Sequence, residues 1–149
     1  MKKKMPIVII ILLIIFIIAQ NIYLIYQNKY SEKAFINNIN NEMLLGLNSK
    51  ELEKKETLSF EKGPRGEGMD VSIYKVKDDT QLRAFMKKGP NKTLENEVEN
   101  IFTKVKYSNA TIFKNEYSYY VIKKDNDFNN YYLIYSHTEK QLYIIRDLR

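Results

Sequence analysis

With 149 residues the chain has room for one modest core and not for two ordinary domains. Half of its formal charge of +6, from 24 Lys+Arg against 18 Asp+Glu, sits in Lys2, Lys3 and Lys4, so the remainder is too weakly basic to imply nucleic acid. The lack of cysteine excludes disulfide frameworks, thiolate metal sites and thiol nucleophiles, while 12 Tyr and 7 Phe against 5 Gly and 3 Pro exclude a disordered or collagen-like chain.

After the tribasic start, Ile7 to Ala19 are apolar without interruption, and between Met5 and Tyr26 only Pro6, Gln20 and Asn21 depart from apolar character. A helix of that length spans roughly 33 Å, enough for a hydrocarbon core of about 30 Å. Pro6 falls in the first turn, where its missing N–H costs little, and Tyr23 and Tyr26 fall where an interfacial aromatic belt belongs. A cleaved secretory signal is the competing reading. Its weak point is the cleavage site, because Ala19 is preceded by bulky Ile17 and followed by the apolar run Ile22 to Tyr26. Residues 1–27 are therefore expected to be an uncleaved, single-pass membrane anchor. Three lysines before the span against Lys29 and Lys33 after it place the N-terminus inside and the rest of the chain outside the cytoplasm.

Residues 28–50 read as an amphipathic stalk. Phe35, Ile39, Met43 and Leu47 recur every fourth residue, flanked by Ile36 and Leu44, whereas Asn37, Asn38, Asn40 and Asn41 are expected to be solvated. Nothing between Gln27 and Ser31 breaks the helix, and Gly46 and Asn48 are its stop signals. About two heptads are too few to argue a coiled coil.

Residues 51–149 read as an α+β domain. Two strands are expected at Thr57 to Glu61 and Met69 to Val76, the second with Met69, Val71 and Ile73 alternating against Asp70, Ser72 and Tyr74. Gly63 to Gly68 between them marks a turn. A helix from Thr80 to Lys88 follows, with Asp78 and Asp79 as cap candidates and Leu82, Phe85 and Met86 on one face, ended by Gly89-Pro90. The next helix has Thr93 as its cap, Leu94, Val98, Ile101, Phe102 and Val105 along one side, and acids early with bases late, which suits the helix dipole. Three strands close the chain at Tyr117 to Lys123, Tyr131 to Ser136 and Gln141 to Arg146, joined by turns at Asp125 to Asn130 and His137 to Lys140. Their side chains are apolar or aromatic on both faces, as in central strands. The whole predicts an antiparallel sheet of about five strands with two short helices on one face.

The Gly-Glu-Gly-Met-Asp turn opening a strand at Gly66, the two short helices, and the closing hairpin Tyr131-Tyr132-Leu133-Ile134-Tyr135 with Gln141-Leu142-Tyr143-Ile144-Ile145 resemble the layout of uncharacterised small membrane-anchored proteins of Gram-positive bacteria. The resemblance covers roughly Phe60 to Arg149 and implies no activity. A second likeness is to the minor pilins, where a membrane helix runs into an amphipathic helix and a sheet. It lacks the processing site, since no Gly precedes the apolar run and no Glu stands near its start.

Site chemistry is sparse. His137, the only histidine, lies in an expected turn and reads as a surface residue, and without cysteine zinc is not expected. Asp125-Asn126-Asp127-Phe128-Asn129 copies the first five positions of a calcium loop, then fails with Asn130 at position 6 and Ser136 at position 12, so it reads as a polar turn. Gly66 and Gly68 are not followed by the third glycine or the Gly-Lys-Ser/Thr that nucleotide loops require. The many tyrosines pack as core before they serve as a platform for bases or sugars. The expectation is a non-catalytic envelope protein with no cofactor, metal, nucleic acid or small-molecule substrate, whose outer domain binds a protein partner. The alternative is a subunit of a membrane or pilus-like assembly; a carboxylate-based enzyme or a carbohydrate-binding module ranks lower. The candidate partner-contact loop is Gly63 to Gly68, where glycines permit close backbone approach and Arg65, Glu67 and Asp70 offer charge.

Overall fold

The computed structural model describes residues 5–61, 68–108, 111–123 and 129–148. A single helix, α1 (Met5–Met43), is followed by a sheet whose strands are β1 (Leu52–Glu61), β2 (Gly68–Val76), β3 (Lys87–Lys88), β4 (Tyr117–Lys123), β5 (Asn130–Ser136) and β6 (Gln141–Leu148). Between strands lie α2 (Thr80–Phe85) and α3 (Lys92–Lys104), with one-turn 3-10 helices at Ser49–Glu51 and Ile112–Lys114. The α+β class holds, with six strands among the described residues where about five were expected. All neighbours are antiparallel, in the order β1-β2-β6-β5-β4-β3.

The apolar half of α1 has no cover within the chain. Every residue from Ile9 to Ile18 is more than half exposed, between 51% at Ile9 and 60% at Leu12. The helix is long and apolar enough to cross a membrane, with an 18-residue window of mean hydropathy 2.6. Two amides in and just beyond this segment bond along the helix: Asn21 Nδ2 donates to the Ile17 carbonyl (2.9 Å) and Gln27 Nε2 to the Tyr23 hydroxyl (2.6 Å). That local bonding gives each of these amides a partner on the helix itself.

The far end of the same helix is core. Ile36, Ile39 and Met43 are at most 1% exposed and, with Leu47, pack on Tyr74, Leu133, Leu142 and Ile144. Fully burying four such side chains is worth roughly 6–12 kcal/mol before entropy, as much as the net stability of a typical domain. The helix stops earlier than Gly46, which is not in a left-handed conformation. Leu44 takes the left-handed position instead (φ 53°), and the Leu45 N–H returns to the Asn40 carbonyl (2.9 Å). Asn40, expected on the solvated face, is half-buried because its amide clamps the turn, accepting from the Leu47 N–H and donating to the Leu47 carbonyl, each at 2.8 Å. Asn37, Asn38 and Asn41 are exposed as expected.

The helices do not share one face. α1 and α2 cover the side carrying Tyr74, Val76, Tyr131, Leu133, Tyr135, Leu142 and Ile144, while α3 covers the side carrying Met69, Val71, Ile73, Tyr132, Ile134, Tyr143 and Ile145. Strands apolar on both faces need a layer on each, and the stalk residues supply the second. β5 and β6 are central, as their composition requires.

Three boundaries differ from the sequence expectation. β1 begins at Leu52, five residues earlier, and a register shift between Lys54 and Glu56 turns its alternation. Leu52 thereby packs on the α1 side and Leu58 on the α3 side, as a bulge allows. The helix expected through Lys88 ends at Phe85; Met86 is extended and buried, and Lys87–Lys88 pair with Tyr119 and Ser118. α3 is capped by Asn91 and not Thr93. The Asn91 side chain accepts from the Leu94 N–H (3.2 Å), and its own N–H is fixed by the Tyr117 hydroxyl (2.8 Å).

A chain beginning at Ser31 is expected to melt cooperatively in water, whereas one beginning at Lys50, which lacks Phe35 to Leu47, is expected to show no cooperative transition. Circular dichroism melts of the two separate a built-in helix from a dispensable stalk.

Candidate functional site

The loop singled out in the sequence joins the paired ends Glu61 and Gly68 of a β1–β2 hairpin, and Arg65 and Glu67 lie outside the described residues. Asp70 is described, and its carboxylate is already engaged. It stands opposite Arg146 in the β2–β6 register, and Arg146 grips it through Nε (2.9 and 3.1 Å) and Nη2 (2.7 Å). The same guanidinium lies 4.9 Å from the centroid of the Phe35 ring on α1. A forked, partly buried pair stacked on an aromatic ties the helix to the sheet. The spacing of Asp70 in the sequence carries no sign of a partner 76 residues away, so this role was not legible there. The calcium-loop copy at Asp125 to Phe128 also lies outside the described residues. Among the described residues no three His, Asp or Glu side chains converge as metal ligands would.

Three polar clusters occur elsewhere. His137 Nε2 lies 2.8 Å from Ser118 Oγ and its ring packs edge-on against Tyr135. The pair has the outline of a base and a nucleophile, but Ser118 is only 4% exposed, and among the described residues no carboxylate hydrogen-bonds His137 to complete the arrangement. A buried hydroxyl out of reach of a substrate does not meet the geometric requirement for nucleophilic catalysis. The second cluster joins Asp79, Arg83 (2.8 Å) and the Tyr135 hydroxyl (3.0 Å). The Arg83 guanidinium holds the Asp79 carboxyl below its ordinary range, and burial together with Asp79 pushes the Tyr135 phenol up to about 12. The third is Glu95, buried on α3, which receives hydrogen bonds from Lys92 (2.9 Å) and from the Tyr117 hydroxyl (2.8 Å). Lys92 and then Tyr117 lower the Glu95 pKa against the opposing effect of burial. Gly89 belongs to this cluster, because a Cβ there would come within 2.5 Å of the Tyr117 ring. Each cluster ties one element to another: α2 to β5, and α3 to β4.

One opening is different in kind. A cleft of about 710 Å³ separates α1 from the start of β1, with Lys29, Glu32 and Lys33 on the helix side, Lys50, Glu53 and Lys54 opposite, and Lys77 and Tyr74 from the end of β2. The Glu51 carbonyl accepts from the Lys77 N–H (2.9 Å) and fixes the far wall. Among the described residues none of these five lysines forms an ion pair. Tyr74, 2% exposed, has a buried hydroxyl without a hydrogen-bond partner. Burial is the main cause of its strongly raised pKa, with Glu32 adding to it. Sequence reading missed this cleft because its lysines come from residues 29 to 77 and converge only when α1 docks. No family model matches the chain, and no curated protein or solved structure matches it either.

Arg146→Ala is expected to destabilise the domain by about 1–3 kcal/mol, since it leaves Asp70 unpaired and removes the contact with Phe35; urea melts would measure it. The lowered Glu95 pKa gives a second expectation. A carboxylate with a depressed folded-state pKa contributes its full stability above the unfolded value of about 4.3, and that stability is lost as pH falls through the folded value. Melting temperature should therefore drop on acidification below about pH 4, and Glu95→Gln should flatten that acid limb while lowering the plateau near pH 7.

Proposed function

We propose that the chain is a single-pass membrane-anchored envelope protein, that it is not an enzyme, and that its α+β domain stands outside the cytoplasm and binds a protein partner. The observation that carries the anchored reading is the change of environment along α1. Its first half exposes large apolar side chains on every side, and its last turns are sealed in the domain core. A secretory signal that is cut away has no reason to run without interruption into a core helix. The non-catalytic reading is supported by Ser118 being buried beside His137, and by Asp79 and Glu95 each being held by partners of their own.

The topology follows from Lys2, Lys3 and Lys4 before the span. One observation favours the reverse: Lys29, Lys33, Lys50, Lys54 and Lys77 gather on the other side, close behind the membrane segment. Protease added to spheroplasts decides between them. Digestion of the domain in intact spheroplasts is expected, and protection until lysis would reverse the topology. N-terminal sequencing of the membrane-bound protein is expected to read from the original start, while a new N-terminus near Gln20 would make the segment a cleaved signal. Arg65→Ala with Glu67→Ala is expected to leave the stability within about 0.5 kcal/mol of the parent and to lose the protein that co-purifies with the full chain from membranes. Retention of that protein by the double mutant would remove the loop from the contact.

A further inference from the structure

The cleft between α1 and β1 opens immediately beyond the membrane segment. Lys29 follows Tyr26 by about 4.5 Å along the helix axis and Lys33 by about 10 Å. The polar headgroup layer on each side of a bilayer is about 5–7 Å thick. When Tyr26 marks the edge of the hydrocarbon, Lys29 therefore falls within that layer and Lys33 just beyond it.

The chemistry of the cleft is one-sided. Five lysines face two acids, Glu32 and Glu53, and among the described residues no ion pair neutralises the surplus. Ammonium groups converging on a recess raise the local potential and attract anions. Tyr74 also lines the cleft, and its hydroxyl is buried and without a hydrogen-bond partner, a donor that a ligand reaches when the side chains over it move. A tetrahedral anion with several acceptor oxygens answers both features, and the volume of about 710 Å³ holds a headgroup larger than the ion itself.

We propose that this cleft binds a phosphate-bearing anion, with Lys29, Lys33, Lys50, Lys54 and Lys77 supplying the charge and Tyr74 a neutral donor. The position beside the span makes the headgroup of an anionic phospholipid the natural source; a soluble phosphate compound shares the same chemistry. The site clamps the domain against the bilayer at a second point besides α1. The lipid source rests on the anchored reading given above.

The test uses the full chain in vesicles of phosphatidylcholine, with or without one-third phosphatidylglycerol. Lipid retained on the protein is counted by native mass spectrometry after mild detergent release. Inorganic phosphate is titrated into the phosphatidylcholine sample with the domain melt as readout. The parent is expected to retain phosphatidylglycerol over phosphatidylcholine. The triple variant Lys33→Gln, Lys54→Gln, Lys77→Gln should lose that preference by about a hundredfold, at roughly a factor of five per lysine near a charged surface. Tyr74→Phe should lose about tenfold and yet melt no lower than the parent in phosphatidylcholine, because it removes an unpartnered hydroxyl. Lys87→Gln with Lys88→Gln, exposed on β3 and outside the cleft, should change nothing. A melt raised by inorganic phosphate in the parent, lost in the triple variant and without any lipid preference, supports the site with a soluble source. Equal retention of both lipids together with no response to phosphate overturns the proposal, as does an equal loss in the β3 variant, which would mean general charge attraction. Failure of the anchored reading shows separately, because an unanchored chain does not float with phosphatidylcholine vesicles at all.

Discussion

Ile36, Ile39, Met43 and Leu47 pack against Tyr74, Leu133, Leu142 and Ile144, and this contact places one helix in two solvents. The first half of α1 has an apolar surface in every direction, which only a bilayer or another apolar surface can cover; the last three turns are amphipathic and buried on a sheet. Between them, from Gln27 to Glu42, there is no glycine or proline, and the helix is continuous. Sharp kinks need such residues or an inserted group. The domain is therefore tied to the direction of the apolar half of α1, and the lysines on the intervening turn hold a fixed position relative to the sheet. The cleft is a consequence: it lies where the helix leaves the sheet on its way to the membrane segment.

Elements that combine a strong period with their own caps were legible in the sequence. The apolar run of α1, the i, i+4 spacing of α3 and the two-sided apolar strands β5 and β6 all dictate their structure locally. What escaped depends on pairs far apart in the chain. Asn40 looked like one asparagine among several on a wet face, and only the path of residues 44 to 47 turns its amide into a clamp. The first half of β1 reads Leu52-Glu53-Lys54-Lys55-Glu56, with almost no apolar alternation, because an edge strand is solvated along its outer side and its pairing comes from the backbone. Met86 ended a helical face by spacing but is drawn into extended structure by burial under α1 and by the pairing of β3 with β4. The candidate site fared similarly. Asp70 was visible as a charge beside a glycine turn, yet its partner Arg146 and the ring of Phe35 were invisible to spacing.

The edges of the sheet are guarded against pairing with another chain. An open ten-residue strand such as β1 presents unpaired backbone groups that invite another strand. Here the shift at Lys54 to Glu56 breaks the flat edge, and four exposed charged residues, Glu53 to Glu56, line it. At the opposite end β3 is only two residues long, and both are exposed lysines. These features blunt strand addition.

The treatment of polar groups inside the molecule separates structural from unexplained chemistry. Asp70 is held by Arg146, Glu95 by Lys92 and Tyr117, and Asp79 by Arg83 and Tyr135, so each of these three charges sits where folding satisfies it. The Tyr74 hydroxyl does not fit that pattern. Its ring packs in the same cluster as Leu142 and Ile144, where a phenylalanine would fill the same space without a stranded donor. Leaving such a group unbonded costs about 1–3 kcal/mol, a large fraction of a small domain's net stability. A ligand that accepts from this hydroxyl recovers that energy on binding, and the recovery is specific to an acceptor. Coulomb attraction to lysines draws any anion. The hydroxyl adds a demand for an oxygen at one place, which turns a basic surface into a site with a preference.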